Sequence, residues 1–186
     1  MKRVCAVLII VFILCGCSQT EEPIDAAMTL RDSVLSSNGT SFGAEITADY
    51  ADVLYTFELE CRSDQDGSLS FTVTAPKSVS GITGIISNDQ QSLTFDDKIL
   101  AFPPLSDGQL TPVIAPYLFL NSLRSGYLSA CGKDGDGYCI YIDDTFQDHP
   151  LQLHLYTDAD FVPFRAEMIY NNLRILSVDI ADFTLL

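Results

Sequence analysis

The chain has no tryptophan, only two histidines, and ten lysine plus arginine residues against 25 aspartate plus glutamate, in 186 residues. The shortage of positive charge, a formal net −15, excludes the basic stripes with which nucleic-acid binders neutralise phosphates. It also opposes adsorption of the protein's own surface to anionic lipid. The shortage of imidazole bears on catalysis. His149 sits in an Asp-His-Pro turn, and His154 alternates outward between Leu153 and Leu155. No Gly-x-Ser-x-Gly elbow, His-Glu-x-x-His pair or phosphate loop occurs. Close carboxylate pairs carry no glycosidase signal in a chain with 25 acids. A triad assembled through space would leave no motif, so the sequence names no catalytic residue, and it points away from an enzyme. It names no cofactor either. Long apolar runs are also missing: Val4–Leu14 has eleven residues, a helix of roughly 16 Å against the ~30 Å hydrocarbon core of a bilayer.

What that short run does resemble is an export signal. Lys2 and Arg3 precede it and small residues follow, the order of a secretory n-region, h-region and cleavage site. Leu14-Cys15-Gly16-Cys17 resembles the lipobox of bacterial lipoproteins. The resemblance implies that residues 1–16 are removed, that Cys17 becomes the lipidated N-terminus, and that Cys5 and Cys15 leave with the signal. Acyl chains at ~0.8 kcal/mol per buried CH2 then tether the protein to the outer side of a bacterial membrane without a spanning helix. Taking Lys2 and Arg3 from the ten basic residues leaves eight against 25 acidic ones over Cys17–Leu186, a net −17. Residues 17–24 read as the lipidated end and a short polar leash, and residues 25–186 as a single domain.

Within that domain an amphipathic helix comes first, with Pro23 and Asp25 at its start, Ala27, Leu30, Val34 and Leu35 at helical spacing, and Asn38-Gly39 at its end. The period then falls to two. Ala44, Ile46, Ala48 and Tyr50 alternate with polar residues, as do Val53, Tyr55, Phe57, Leu59 and Cys61, and Leu69, Phe71, Val73 and Ala75. These are strands of an antiparallel meander with one dry face and one wet, acidic face. Further strands are expected at 81–87, 92–97 and 98–103. The four prolines between 103 and 116 then indicate a long loop, which reads as a candidate lid. Pro116 and Gly126 bracket a second helix with apolar residues at 117, 118, 120 and 123. Strand runs return at 138–143, 151–158 and 163–170, and Asn171-Asn172 turns into the last one. There Leu176, Val178 and Ile180 share one parity and Ala181, Phe183 and Leu185 the other, which predicts a β-bulge near Ile180-Ala181 and a curved sheet.

This order of elements resembles the LolA/LolB family of lipoprotein carriers and the related mycobacterial lipid-binding lipoproteins. The closing phrase, Phe164-Arg165-Ala166-Glu167, a turn, then Ile175-Leu176-Ser177-Val178, adds to the likeness. The resemblance implies a fold that is α+β and mainly β: a strongly curved antiparallel sheet, a half-open barrel, packed over two or three helices. It also implies a concave apolar face that holds acyl chains. The residues placed on that face are Tyr55, Phe57, Leu59, Phe71 and Val73 from the strands, with Tyr117, Leu118, Leu120 and Leu123 from the second helix. The alternative is that helices and strands fill each other as ordinary core.

Three cysteines remain outside the lipid site. Cys131 and Cys139 flank Gly-Lys-Asp-Gly-Asp-Gly-Tyr, read as a hairpin centred on Gly135, and are candidates for a cross-strand disulfide that export would permit. Cys61 reads as a buried thiol, and a bridge from it to either of the others stays open. Asp134 and Asp136 lack the spacing of an EF-hand loop, so the segment reads as a turn and no metal site is assigned. The functional expectation is a noncatalytic, membrane-tethered lipoprotein that binds an acyl chain, lipid or apolar peptide in the concave face of its sheet. The alternative is an envelope sensory or protein-interaction module with a filled core and a protein partner.

Overall fold

The computed structural model describes residues 23–49, 54–87, 91–95, 98–101, 105–106, 109–146, 149–170 and 172–186. The signal and Cys17, like Tyr50 and Val53, lie outside the described residues. Pro23 opens helix α1 (Pro23–Ser36), where its missing N–H costs nothing, and Asp25 in the first turn complements the helix dipole. Six strands follow: β1 (Thr40–Asp49), β2 (Leu54–Ser63), β3 (Leu69–Ala75), β4 (Thr83–Ile86), β5 (Gln91–Phe95) and β6 (Lys98–Ala101). Two-residue strands β7 (Leu105–Ser106) and β8 (Gln109–Leu110) pair with each other. A 3-10 turn (Pro112–Ile114) runs straight into helix α2 (Ala115–Ser125). The chain ends with β9 (Tyr127–Asp134), β10 (Gly137–Phe146), β11 (His149–Thr157), β12 (Pro163–Tyr170) and β13 (Leu173–Leu185).

Eleven strands make one antiparallel sheet in the order β6-β5-β4-β3-β2-β1-β13-β12-β11-β10-β9. The sheet is curved and unclosed, with edges at β6 and β9. The expected class, mainly β with a half-open barrel over helices, describes it. Two meanders meet where β1 pairs with β13. Register shifts interrupt five of the strand pairings, and each extra residue bends and twists its strand. The bulge of β13 lies two residues beyond the expected position. Gly43 pairs with Ala181 and Ser41 with Thr184, so Asp182 and Phe183 together oppose Phe42. Asp182 takes a left-handed φ of 53° to make the step.

The dry faces form one core. Ile46, Leu59, Leu69, Ile86, Ile140, Leu153, Ala166, Met168 and Val178 are buried along the inner side of the sheet. α2 lies inside that curve and is buried nearly all round, from Ala115 to Leu120 and again at Ser122 and Leu123. A helix buried on every side has no polar stripe to read, so the four-residue apolar stripe expected for it was too narrow. Phe119, outside that stripe, is fully buried and meets Phe42 edge-on with ring centroids 5.7 Å apart. Phe183, turned inward by the bulge, completes the trio at 6.0 Å from Phe42 and 6.2 Å from Phe119. The end of the proline-rich stretch is core as well: Ile114 and Ala115 have no exposed surface, so a lid could extend no further than Thr111.

Candidate ligand groove

The structure brings most of the concave-face residues together, but as packed core. Leu59, Phe71, Val73, Tyr117, Leu118 and Leu120 are all buried, and Leu123 with them. Three of the five expected β2 and β3 positions, Leu59, Phe71 and Val73, are buried with the helix residues in one core. Phe57 is only partly buried and Tyr55 is 47% exposed, their rings stacked 6.4 Å apart at the open end of β2. That pair is the part of the expected site which still reaches solvent.

An apolar groove of about 360 Å3 lies elsewhere, between α1, the β11–β12 loop and the end of β13. Its first wall is one helical stripe of α1, Ala26, Thr29, Leu30 and Ser33. Its second wall is Phe161, Val162 and Pro163. Asp158 builds this loop: its carboxylate accepts the N–H groups of Asp160 and Val162, each at 2.9 Å, and its own N–H donates to the Val162 carbonyl at 3.1 Å. Tyr138 stacks on Phe161 at 4.4 Å and holds it in a left-handed conformation, φ 61°. The floor is Phe183 and Leu185, which the β13 bulge has moved to this side of the sheet. Asp160 is the one charged residue of the lining. Sequence reasoning missed the groove because three distant segments build it, although the apolar run Phe161-Val162-Pro163 between two strands was a visible signal.

Two other hollows have walls about half polar and half apolar. One of about 480 Å3 lies on the wet side of β1 to β4, among Glu60, Arg62, Ser70, Thr72 and Thr83. One of about 390 Å3 lies between the β2–β3 turn and α2, beside Arg124. Neither suits an acyl chain.

The outer face of β10 to β13 carries an ionic cluster. Glu167 accepts Arg165 at 3.0 Å and Arg174 at 2.9 Å, and the Tyr156 hydroxyl donates to it at 3.2 Å. Burial works to raise the Glu167 carboxyl, and the two arginines outweigh it, so the group is held below the ordinary glutamate range. Burial and the neighbouring Glu167 push the Tyr156 phenol up to about 12. His154 on the same face is held below its usual range by burial, and its Nε2 pairs with Gln152 at 2.9 Å. These groups satisfy one another across a sheet surface.

The register overturns the proposed disulfide. Asp134 pairs with Gly137 across a two-residue turn, so the hairpin is centred between Gly135 and Asp136 and not on Gly135. That half-step sets Cys139 opposite Gly132, and Cys131 opposite Ile140. A one-residue offset reverses the face, so the thiols point to opposite sides of the sheet, and both are free. Cys61 is also free and fully in the core, where burial pushes its thiol up to about 12. The Asp134–Asp136 segment is the hairpin turn, with Gly135 at φ 57°.

A curved, unclosed antiparallel sheet wound around a buried helix, with an apolar groove at one end, defines the architecture. No protein-family model matches the sequence, and no curated protein matches it. Solved structures with a similar backbone include a LolA superfamily protein from Nitrosomonas europaea, 12% identical, covering 86% of this chain and 93% of that one, with a TM-score of 0.49. Another is a chain of the CwlD amidase complex with the GerS lipoprotein from Clostridioides difficile, 13% identical, covering 91% and 99%, at 0.45. A third is the Mycobacterium tuberculosis lipoprotein LppX, 9% identical, covering 86% and 94%, at 0.39. At these values no residue's role passes from those proteins to this chain.

Proposed function

We propose that this chain is a lipoprotein tethered through Cys17 to the outer side of a bacterial membrane, whose domain binds an acyl chain, lipid or apolar peptide without catalysis. The groove between α1 and the β11–β12 loop carries this reading, because it is apolar and open, with walls on α1, on the hydrogen-bonded β11–β12 loop and on β13. The Leu14-Cys15-Gly16-Cys17 sequence supports the tether, and the negative charge of the domain gives the membrane no other hold on it. Binding would proceed by shape and burial, at ~25 cal/mol per Å2 of apolar surface offset by the ordering of the ligand. Tyr55 and Phe57, at the open end of β2, are a second place where an apolar ligand would meet the concave side.

The test is native mass spectrometry of residues 18–186, purified without detergent, followed by organic extraction. A bound mass that extracts as lipid, and that Leu30→Asp abolishes, supports the reading. A bare mass that stays bare when fatty acid, phospholipid and an uncharged fatty-acyl methyl ester are all offered overturns it and leaves a protein-interaction module. A specific feature favours that alternative: β9 ends the sheet, and its Tyr127–Gly132 portion carries no charge or proline to blunt pairing with an added strand.

A further inference from the structure

The groove begins where the tether ends. α1 starts at Pro23, and the lining stripe runs from Ala26 to Ser33 along it. Cys17 lies six residues before Pro23, a leash that extends to roughly 20 Å at 3.3–3.6 Å per residue. α1 has 14 residues and is roughly 21 Å long. A group on Cys17 can therefore fold back along any part of the helix, at an effective concentration on the order of millimolar for so short a linker.

The chemistry of the lining selects among apolar ligands. A phospholipid or a free fatty acid brings an anion, and a site made for one sets a basic side chain or a row of free amides at its mouth. This lining has no lysine, arginine or histidine, and its single charged residue, Asp160, is negative. Such a site repels an anionic head group. The acyl chains on a lipoprotein cysteine are joined by ester and amide links and carry no charge at that end, so they enter without the penalty.

We infer that the groove takes one of the protein's own acyl chains, carried on Cys17. This rests on the lipoprotein reading above. The occupied groove clamps α1 against the anchor and holds the domain at a fixed attitude to the membrane, while the remaining acyl chains stay in the bilayer.

The experiment uses the full chain, made and processed in a bacterium, with the photo-crosslinker p-benzoylphenylalanine in place of Val162. This residue is 42% exposed and lines the groove. The same group in place of Leu173, 69% exposed at the β12–β13 turn, is the control. After irradiation of whole cells, the monomer is digested and its peptides are weighed. The expected product joins the peptide containing position 162 to the acylated Cys17 peptide, and the control at 173 gives at least tenfold less. An acylated Cys17 together with an adduct at 162 to phospholipid, to fatty acid or to another protein, or with no adduct, overturns the inference and leaves the lipoprotein reading standing. Equal yields at 162 and 173 also overturn it, because tethering alone would then explain the product. A Cys17 peptide without acyl mass overturns both.

Discussion

The guanidinium of Arg31 donates to the main-chain carbonyl of Leu123 at 2.7 Å, so α1 closes the C-terminal end of α2. A second bond from the same side chain, also 2.7 Å, reaches the Gly126 carbonyl just beyond the helix. The last carbonyls of a helix lack intrahelical partners, and a cation there also meets the negative end of the dipole. Arg31→Met, which keeps the apolar stem, is expected to cost about 2 kcal/mol in urea unfolding. Arg31→Lys recovers only part of that, because one ammonium cannot reproduce the two-bond fork.

Core and rim positions of the concave face separate by stability. Leu118 is 2% exposed, and Leu118→Ala is expected to cost about 2–5 kcal/mol through lost burial and the cavity left behind. Tyr55→Ala, at a half-exposed position, is expected to stay within about 0.5 kcal/mol of the parent. Thermal unfolding of both variants checks the contrast.

Thr157 is fully buried, and its hydroxyl has no hydrogen-bond partner among the described residues. Thr157→Val keeps the shape and removes the unpaired oxygen, so a gain of about 1 kcal/mol is expected. Thr40 is the counter-case: it is also buried, but its hydroxyl pairs with Ser63 at 2.8 Å. Thr40→Val is expected to destabilise, and urea midpoints for the two variants should move in opposite directions.

Glu167 makes stability depend on acid. Its carboxyl is held below the unfolded-state value by Arg165 and Arg174 against the opposing effect of burial. The stabilisation is therefore fully present above the ordinary glutamate range and is lost as pH falls through the lowered folded-state value. Glu167→Gln is expected to lower stability at pH 7 and to flatten the fall below about pH 4.5. Urea midpoints across that interval, for parent and variant, test the sign.

Cysteine pairing follows the register. The parent protein is expected to stay uncrosslinked within a molecule under mild oxidation, since Cys131 and Cys139 face opposite ways. Gly132 sits directly opposite Cys139, with open space where a side chain would start. Gly132→Cys is expected to close a 132–139 bridge, worth roughly 2 kcal/mol if unstrained. Peptide mapping without reductant shows which pair forms.

Much of this fold could be read from period-two alternation, because a half-buried strand must show it. β2 and β3 stand where Leu59, Cys61, Phe71 and Val73 placed them. β9 was legible only as the first arm of the hairpin at Gly135: on a sheet edge, Tyr127–Asp134 needs no strict alternation, and its burial is irregular. The parity change in the last strand was legible, but its position was not, since a small Ala181 sits on either face at little cost. The concave site was half legible. Its residues do face inward, but whether the hollow is filled depends on how closely the sheet wraps α2, which no single segment records. The groove depends on Leu30, Phe161 and Phe183, the first more than a hundred positions from the other two, brought together only by the folded sheet.

The pairing of β1 with β13 has a consequence for how the protein comes into being. The first strand's neighbour is the final stretch of the chain, and even Leu186 exchanges main-chain bonds with Asn38 and Gly39, each at 2.9 Å. A polypeptide that leaves its ribosome or translocation pore N-terminus first must therefore keep the inner row of β1 amides waiting until β13 emerges. Joining strands so far apart in sequence is the slow kind of contact. Until then the two half-sheets remain separate, and the aromatic trio of Phe42, Phe119 and Phe183 lacks its last member.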